Sequence, residues 1–276
     1  MDGAEAAVSP TCAAPVWNWR LFWTLEIAGV FAVTALLPYA FSLQQAMLKQ
    51  HPMPTPPPPP PVLIALQIFQ NSVLIGGFVG LGMWLAPKVG LGTPLLSALT
   101  TNRHIERPLL IALLVAASLG VGVALLVILL DKWVFVPRLP LIAHLEVNVP
   151  AWKGFLASFY GGIDEEIFLR FGVMTLLVAG LARIFRTGGG RPAGIAFWLA
   201  IISSAVLFGL GHLPATAGLM PITSLVVYRA VLLNGILGIV FGVLYWKRGL
   251  EFAMVSHFAA DLVLHLVAPL FLARIG

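Results

Sequence analysis

Ionisable side chains interrupt three stretches of this sequence that are otherwise apolar. Inside a membrane span such a side chain costs roughly 3 kcal/mol on insertion scales, so it usually faces other helices and has a function or a partner. The three groups are Asp164, Glu165, Glu166 and Arg170; His212; and His257, Asp261 and His265.

The first group pairs charges on one helix face. Glu166 and Arg170 are spaced i, i+4 and can form a charge-assisted pair. Glu165 points about 100° away and is left free. An unpaired, desolvated carboxylate is suited to act as a general base near neutral pH. The alternative is a helix end at the membrane surface with solvated charges, which Gly161-Gly162 would permit.

The second and third groups bring histidines into the apolar segments. His212 follows Phe208 at the end of one span, where a lone histidine is most often an interfacial residue. His257 and Asp261 share a face in mid-helix, and His265 continues the stripe. A carboxylate beside an imidazole can fix its tautomer; the alternative is a pair that only locks helices together. If the three helices converge, their polar groups can bind a metal, relay protons or activate water.

Composition places these helices in lipid. Of 276 residues, 59% are hydrophobic and 10% are charged, against roughly 25% charged in a soluble domain. This excludes a soluble globular enzyme, a disordered protein and a nucleic-acid-binding domain. The net charge of +5 instead suits loops that face anionic lipid. Cys12, the single cysteine, excludes a disulfide framework and a multi-cysteine zinc site.

A spanning helix needs about 20 mostly apolar residues. The sequence predicts an all-α, polytopic transmembrane bundle of about seven (seven to eight) spans around a polar intramembrane catalytic cavity. The chain divides into an N-terminal tail (1–20), N-terminal membrane helices (21–150) with a polyproline loop at 54–61, and a catalytic membrane domain (151–276). The predicted spans are 21–42, 62–87, 108–130, 152–185, 192–212, 221–246 and 250–273.

Three polar residues outside these groups also lead to expectations. Thr93 before Pro94 predicts the N-cap of a short interfacial helix. Glu26, in the first span, is expected close to a membrane surface and solvated. Arg229, in the sixth span, either snorkels to an interface or binds the C-terminal carboxylate of a substrate.

The ordered motifs resemble those of a known family. E-E-x-x-x-R at Glu165, F-x-x-x-H at Phe208 and H-x-x-x-[ND] at His257 occur in the order found in the CPBP family of intramembrane proteases. That family includes type II CAAX prenyl endopeptidases and bacterial proteins linked to bacteriocin processing or self-immunity. The resemblance covers about residues 152–266, including a glycine-rich helix that begins at Asn234; residues 1–150 carry no resemblance.

The resemblance implies an endopeptidase and a role for each motif residue. Glu165 would be the base that activates water together with His212. Glu166 and Arg170 would be a supporting ion pair. The substrate would be a peptide or protein in the membrane, either a prenylated C-terminal CAAX-like peptide or a leader peptide, and membrane lipid would surround it. The location is an integral, multi-pass one, in the plasma or inner membrane if the chain is bacterial.

The resemblance also implies an oxyanion site at His257 and Asp261. An asparagine at position 261 could donate a hydrogen bond, whereas an ionised aspartate cannot; Asp261 would then orient His257 or bind metal. Phe208, Arg229 and Asn234 are the candidate substrate-binding residues.

A metal is not required for water activation by a glutamate, although Zn²⁺ has a plausible ligand set. If a metal is present, the candidate ligands are Glu165, His212, His257 and Asp261. The sequence has no H-E-x-x-H zinc signature. We therefore favour a metal-free mechanism.

Two other classes of function stay open at this point. One is a non-catalytic immunity or scaffold protein of the same fold, although every candidate catalytic position is filled. The other is a proton-coupled transporter, because intramembrane Glu, His and Arg also build proton relays. The sequence shows no internal repeat to favour transport, and it lacks the G-x-S-G and G-x-G-D motifs of other intramembrane proteases.

Overall fold

The computed structural model describes residues 17–50, 60–102, 109–139 and 149–272. The expectations for Cys12 and for residues 54–59 of the polyproline loop lie outside these ranges. Pro60 and Pro61, predicted to lie in that loop, instead begin a helix. Proline suits the first helical turn, because its missing N–H would have no partner there.

The N-terminal part consists of two long helices, a short helix and a third long helix. The third long helix winds on through a π-helical turn, Asp131–Phe135, and a 3₁₀ turn, Val136–Arg138. The helices are α1 (Trp19–Gln50), α2 (Pro60–Leu85), α3 (Pro94–Thr100) and α4 (Leu109–Leu130).

The C-terminal part contains the helices that carry the motifs. Helix α5, residues 151–181, begins as Ala151–Tyr160 and ends as Thr175–Leu181, with two π-helical segments between them, Gly161–Glu165 and Ile167–Met174. The others are α6 (Gly194–Gly211), α7 (Leu213–Ala217), α8 (Ser224–Arg248) and α9, which begins as Leu250–Asp261 and continues through a π-helical segment, Leu262–Val267, to Ala268–Leu272.

Six of the described helices are long and apolar enough to cross a membrane. They correspond to six predicted spans and confirm the helical membrane bundle. The remaining predicted span, 152–185, is helix α5, which is not among the six and carries Asp164, Glu165, Glu166 and Arg170. The protein is an integral, multi-pass membrane protein.

Glycines bring the helix backbones together. A Cβ at position 120 of α4 would collide with the backbone carbonyl of Ser256 in α9, and one at position 209 of α6 would lie 2.6 Å from the Cα of Val231 in α8. In lipid the hydrophobic effect does not drive helix association, so small residues that allow close packing stabilise the bundle.

The N-terminal helices pack directly on α5. Phe31 of α1 meets Phe159 edge to face, with ring centroids 5.3 Å apart, and the Lys153 ammonium donates to the Ser42 hydroxyl at 2.7 Å. The ring of Phe171 fills the space beside Gly82 of α2. Helices α1 and α2 therefore form one bundle with the motif-bearing helices.

Glu26 is buried, contrary to the expectation of a solvated side chain. It is 7% exposed, and one carboxylate oxygen accepts a hydrogen bond from the Ser72 hydroxyl at 2.6 Å. Its carboxyl group faces α2, where it lies beside Ser72 and Gly76.

Thr93 precedes α3 as predicted, but its side chain does not cap the helix. The Thr93 hydroxyl bonds Ser97 instead. The Leu96 amide donates to Glu251 of α9 at 2.7 Å. A distant carboxylate thus satisfies a free amide of the first turn, the need that a local cap usually meets.

We expect Gly120→Ala to destabilise the protein by about 1–3 kcal/mol, because the added methyl group must displace the α9 backbone. Gly122→Ala, on the same helix, is the matched control, since a Cβ there meets no atom within 4 Å. It should be neutral, or stabilising by up to about 1 kcal/mol through helix propensity. Denaturant unfolding in detergent measures both; equal losses would contradict the packing argument.

Candidate active site

Helix α5 presents its two adjacent glutamates to different surroundings. The side chains of Glu166 and Arg170 are 0% exposed, whereas that of Glu165 is 23% exposed. The π-helical segments on either side of Glu166 change the winding at this point, and π-bulges are frequent at functional sites. Glu165 is therefore the accessible carboxylate of the pair.

Glu166 forms the centre of a buried polar network. Its Oε1 atom lies 3.0 Å from Arg170 Nη1 and 2.8 Å from Nδ1 of His257. Arg170 also donates from Nη2 to the carbonyl of Gly238 on α8 at 3.1 Å. One carboxylate thus ties together α5, α8 and α9.

His257 is oriented by a hydrogen bond to Glu166. The sequence had instead suggested Asp261 as the carboxylate that orients this ring. An ionised carboxylate only accepts hydrogen bonds, so Nδ1 donates to Glu166. The other ring nitrogen, Nε2, faces Glu165 Oε2 at 3.5 Å and Asp261 Oδ1 at 3.7 Å. The nitrogen available for chemistry therefore lies beside the accessible glutamate.

Two phenylalanines hold this network in place. Phe241 stacks on His257 with ring centroids 4.4 Å apart and planes at 20°. Phe208 meets the same ring edge to face at 5.5 Å. The Arg170 guanidinium lies over both rings, 5.0 Å from Phe208 and 5.4 Å from Phe241. These contacts restrict the imidazole and the guanidinium to one arrangement.

His212 joins this cluster through Phe208. It ends α6, and its ring packs edge to face on Phe208 at 4.9 Å. Its Nδ1 lies 2.8 Å from the Phe208 carbonyl. Since a carbonyl accepts, Nδ1 donates, and Nε2 of the neutral ring is left as an acceptor. The partnership of His212 with Glu165 stays a prediction.

Gly161 allows Asp261 to approach α5. A Cβ at position 161 would collide with Asp261 Oδ2 and lie 3.1 Å from His257 Nε2. His265 lies one turn further along α9, with Nε2 at 3.8 Å from Asp261 Oδ1, and Tyr39 of α1 packs against its ring. Asp261 therefore lies between the two histidines.

The three candidate substrate-binding residues have partners within the chain. Arg229 forms a bidentate ion pair with Asp131, at 2.7 and 2.6 Å. Asn234 donates to the Ala230 carbonyl one turn earlier at 2.9 Å. Phe208 is 4% exposed. These contacts give each residue a role in packing, and contact with a substrate stays a prediction.

Several residues of the site were not singled out from the sequence. Phe241 is one apolar residue among many, and its stacking depends on the packing of α8 against α9. Gly161 and Gly238 gave a partial signal, because a glycine inside a helix often marks a close approach. The sequence did not indicate which atom approaches.

The described residues contain no group of three or more His, Cys, Asp or Glu side chains that could hold a metal ion. His257 Nδ1 and Glu166 Oε1 already bond to each other. The predicted set of Glu165, His212, His257 and Asp261 is thus not arranged as a metal centre in this part of the chain.

One comparison with known proteins found a family model that matches part of the chain. Residues 147–263 match the model of the family described as type II CAAX prenyl endopeptidase Rce1-like. The matched segment contains α5, α6, α7, α8 and the first part of α9, and with them all three motifs. No curated protein and no solved structure matches the chain. The match confirms the resemblance to CPBP-family proteases.

We expect Arg170→Gln to destabilise the protein by about 3–5 kcal/mol, because it leaves Glu166 buried without its cation. Arg229→Gln is the matched control. Its ion pair with Asp131 is partly exposed, 28% and 23% by side chain, so the loss of that pair leaves a less desolvated charge behind and should cost less. Unfolding free energies in detergent test the difference; similar losses would show that burial of the Arg170 pair is not decisive.

Proposed function

We propose that this protein, which carries an Rce1-like domain of the CPBP family at residues 147–263, is an intramembrane endopeptidase that uses Glu165 and the two motif histidines. The family is one of membrane endopeptidases. One observation carries the finer proposal: a partly exposed glutamate lies beside the free nitrogen of a buried, oriented histidine, 3.5 Å away.

Glu165 acts as the general base. Its carboxylate takes a proton from a water molecule, and the water oxygen attacks the carbonyl carbon of the scissile peptide bond. His212 accepts a hydrogen bond from the same water through Nε2, which its Nδ1 contact with the Phe208 carbonyl leaves free. When the carbon–nitrogen bond breaks, the protonated Glu165 delivers its proton to the leaving amine.

His257 stabilises the oxyanion of the tetrahedral intermediate. In its doubly protonated form Nδ1 donates to Glu166 at 2.8 Å, and Nε2 donates to the oxyanion. A donor held in place before the reaction is typically worth about 100- to 1,000-fold in kcat. Asp261, 3.7 Å from Nε2, balances the charge of the ring and limits its rotation.

Glu166 and Arg170 support the site without contacting the substrate. Both are fully buried behind His257. Glu166 pairs with Arg170 at 3.0 Å and accepts from the imidazole at 2.8 Å, so it holds the ring of His257 in place. The substrate is a membrane-associated peptide or protein, of the prenylated C-terminal or leader-peptide class that the family resemblance implies.

We expect Glu165→Gln to remove proteolysis, because it keeps the shape and removes the base; loss of a general base typically costs about 100- to 10,000-fold. Mass spectrometry of peptide termini in membranes with matched expression measures it. Glu251→Gln is the control, since its amide oxygen can still accept from the Leu96 amide. New termini that also appear with Glu165→Gln would refute the role of Glu165 as the base. If the intact protein itself produces no new termini, the proteolytic function is refuted and an immunity or scaffold role is favoured.

We also expect proteolysis to persist after metal removal. Purified protein is dialysed against a chelator, metal content is measured, and cleavage of the substrate found above is followed. Full activity at less than stoichiometric metal agrees with the glutamate mechanism. Activity that disappears and returns on adding Zn²⁺ would assign a metal to the site and revise the role of Glu165.

A further inference from the structure

We infer that α1, which lies outside the Rce1-like domain, positions the catalytic glutamate through a buried contact with its neighbour Asp164. Gly29 and Asp164 are then positioning residues of the hydrolytic site. The effect on catalysis rests on the proposed function; the effect on the orientation of position 165 does not.

Asp164 and Glu165 are consecutive residues with different surroundings. Asp164 is 0% exposed, whereas the Glu165 side chain is 23% exposed and faces His257. Asp164 points away from the site and towards α1. A Cβ at position 29 would lie 2.6 Å from Asp164 Oδ1, so Gly29 is the residue that makes room for this carboxyl group.

A second buried carboxyl group, that of Glu26, lies on α1 itself, on the same face as Gly29. Glu26 is one turn before Gly29, and its Oε1 accepts from the Ser72 hydroxyl of α2 at 2.6 Å. Its Oε2 lies 3.2 Å from where a Cβ at position 76 would be, so Gly76 makes room for it on α2. Two glycines on two helices thus accommodate two buried carboxyl groups.

The catalytic mechanism above uses neither group. Within the described ranges, both oxygens of Asp164 and Oε2 of Glu26 have no hydrogen-bond partner, and the salt bridges formed by described residues do not include Asp164 or Glu26. A buried polar group without a partner costs free energy. Their presence at this contact is explained if the contact sets the geometry of the neighbouring site.

The local winding makes Glu165 sensitive to what holds Asp164. The two residues end the π-helical segment Gly161–Glu165, where the regular α-helical hydrogen-bond pattern is interrupted by i→i+5 bonds. A shift of Asp164 away from α1 therefore rotates Glu165 relative to His257. Displacements of about 1 Å at a catalytic group can lower the rate about 100-fold.

The first readout does not depend on activity. A Cys12→Ser, Glu165→Cys protein carries one thiol, and its rate of alkylation by a maleimide in detergent reports how position 165 is presented. We expect Gly29→Ala and Asp164→Ala to change this rate several-fold. Asp164→Asn keeps the shape and should leave it unchanged. Gly77→Ala is the matched glycine control, because a Cβ there meets no atom within 4 Å.

The second readout uses proteins that retain Glu165. Gly29→Ala and Asp164→Ala should lower kcat by about 10- to 100-fold with little change in KM, as expected when a reacting group is misplaced. Asp164→Asn should retain most of the activity. Asp164→Ala adds no atoms, so it remains informative if Gly29→Ala fails to fold.

The outcomes separate the two proposals. Unchanged alkylation in both alanine variants overturns the positioning role, whatever the activity. The positioning role is also overturned if Asp164→Asn changes the alkylation rate at position 165 as much as Asp164→Ala does. The shape of the contact would then not be what matters. A several-fold change in alkylation, together with no Glu165-dependent cleavage by the intact protein, supports the positioning role and refutes the proteolytic function instead.

Discussion

The structure depends on one carboxylate held in the interior of a membrane bundle. Glu166 forms an ion pair with Arg170 and accepts a hydrogen bond from His257 at the same oxygen, and Arg170 continues the chain of contacts to Gly238. A charge in this position is tolerated only with such partners. Three helices are therefore fixed relative to one another by the same interaction that orients His257.

The glycines follow from this constraint. Polar side chains can meet inside the bundle only where the helices approach closely, and close approach needs residues without a Cβ. Gly161 admits Asp261 beside α5, and Gly238 lets α8 approach both Ala205 of α6 and the Arg170 guanidinium. The aromatic rings of Phe208 and Phe241 then fill the space around the ion pair.

The two sides of α5 contact different parts of the molecule. One side presents Glu165, partly exposed, to His257. The other side buries Asp164 against α1, beside Glu26. The N-terminal helices thus form the surface against which α5 packs, and the matched segment, 147–263, does not contain every residue in contact with that helix.

The sequence by itself determined the membrane class, the positions of most spans, the motif residues and the Glu166–Arg170 pair. These rest on composition, on runs of apolar residues and on i, i+4 spacing, which are local properties. The tertiary structure decided which atoms meet. His257 bonds Glu166, 91 positions away, rather than Asp261 on its own helix, and Glu251 caps α3 in place of Thr93. Glu26 is buried because it faces α2, where Ser72 donates to it. Local spacing cannot encode such partners, since they depend on how distant helices pack.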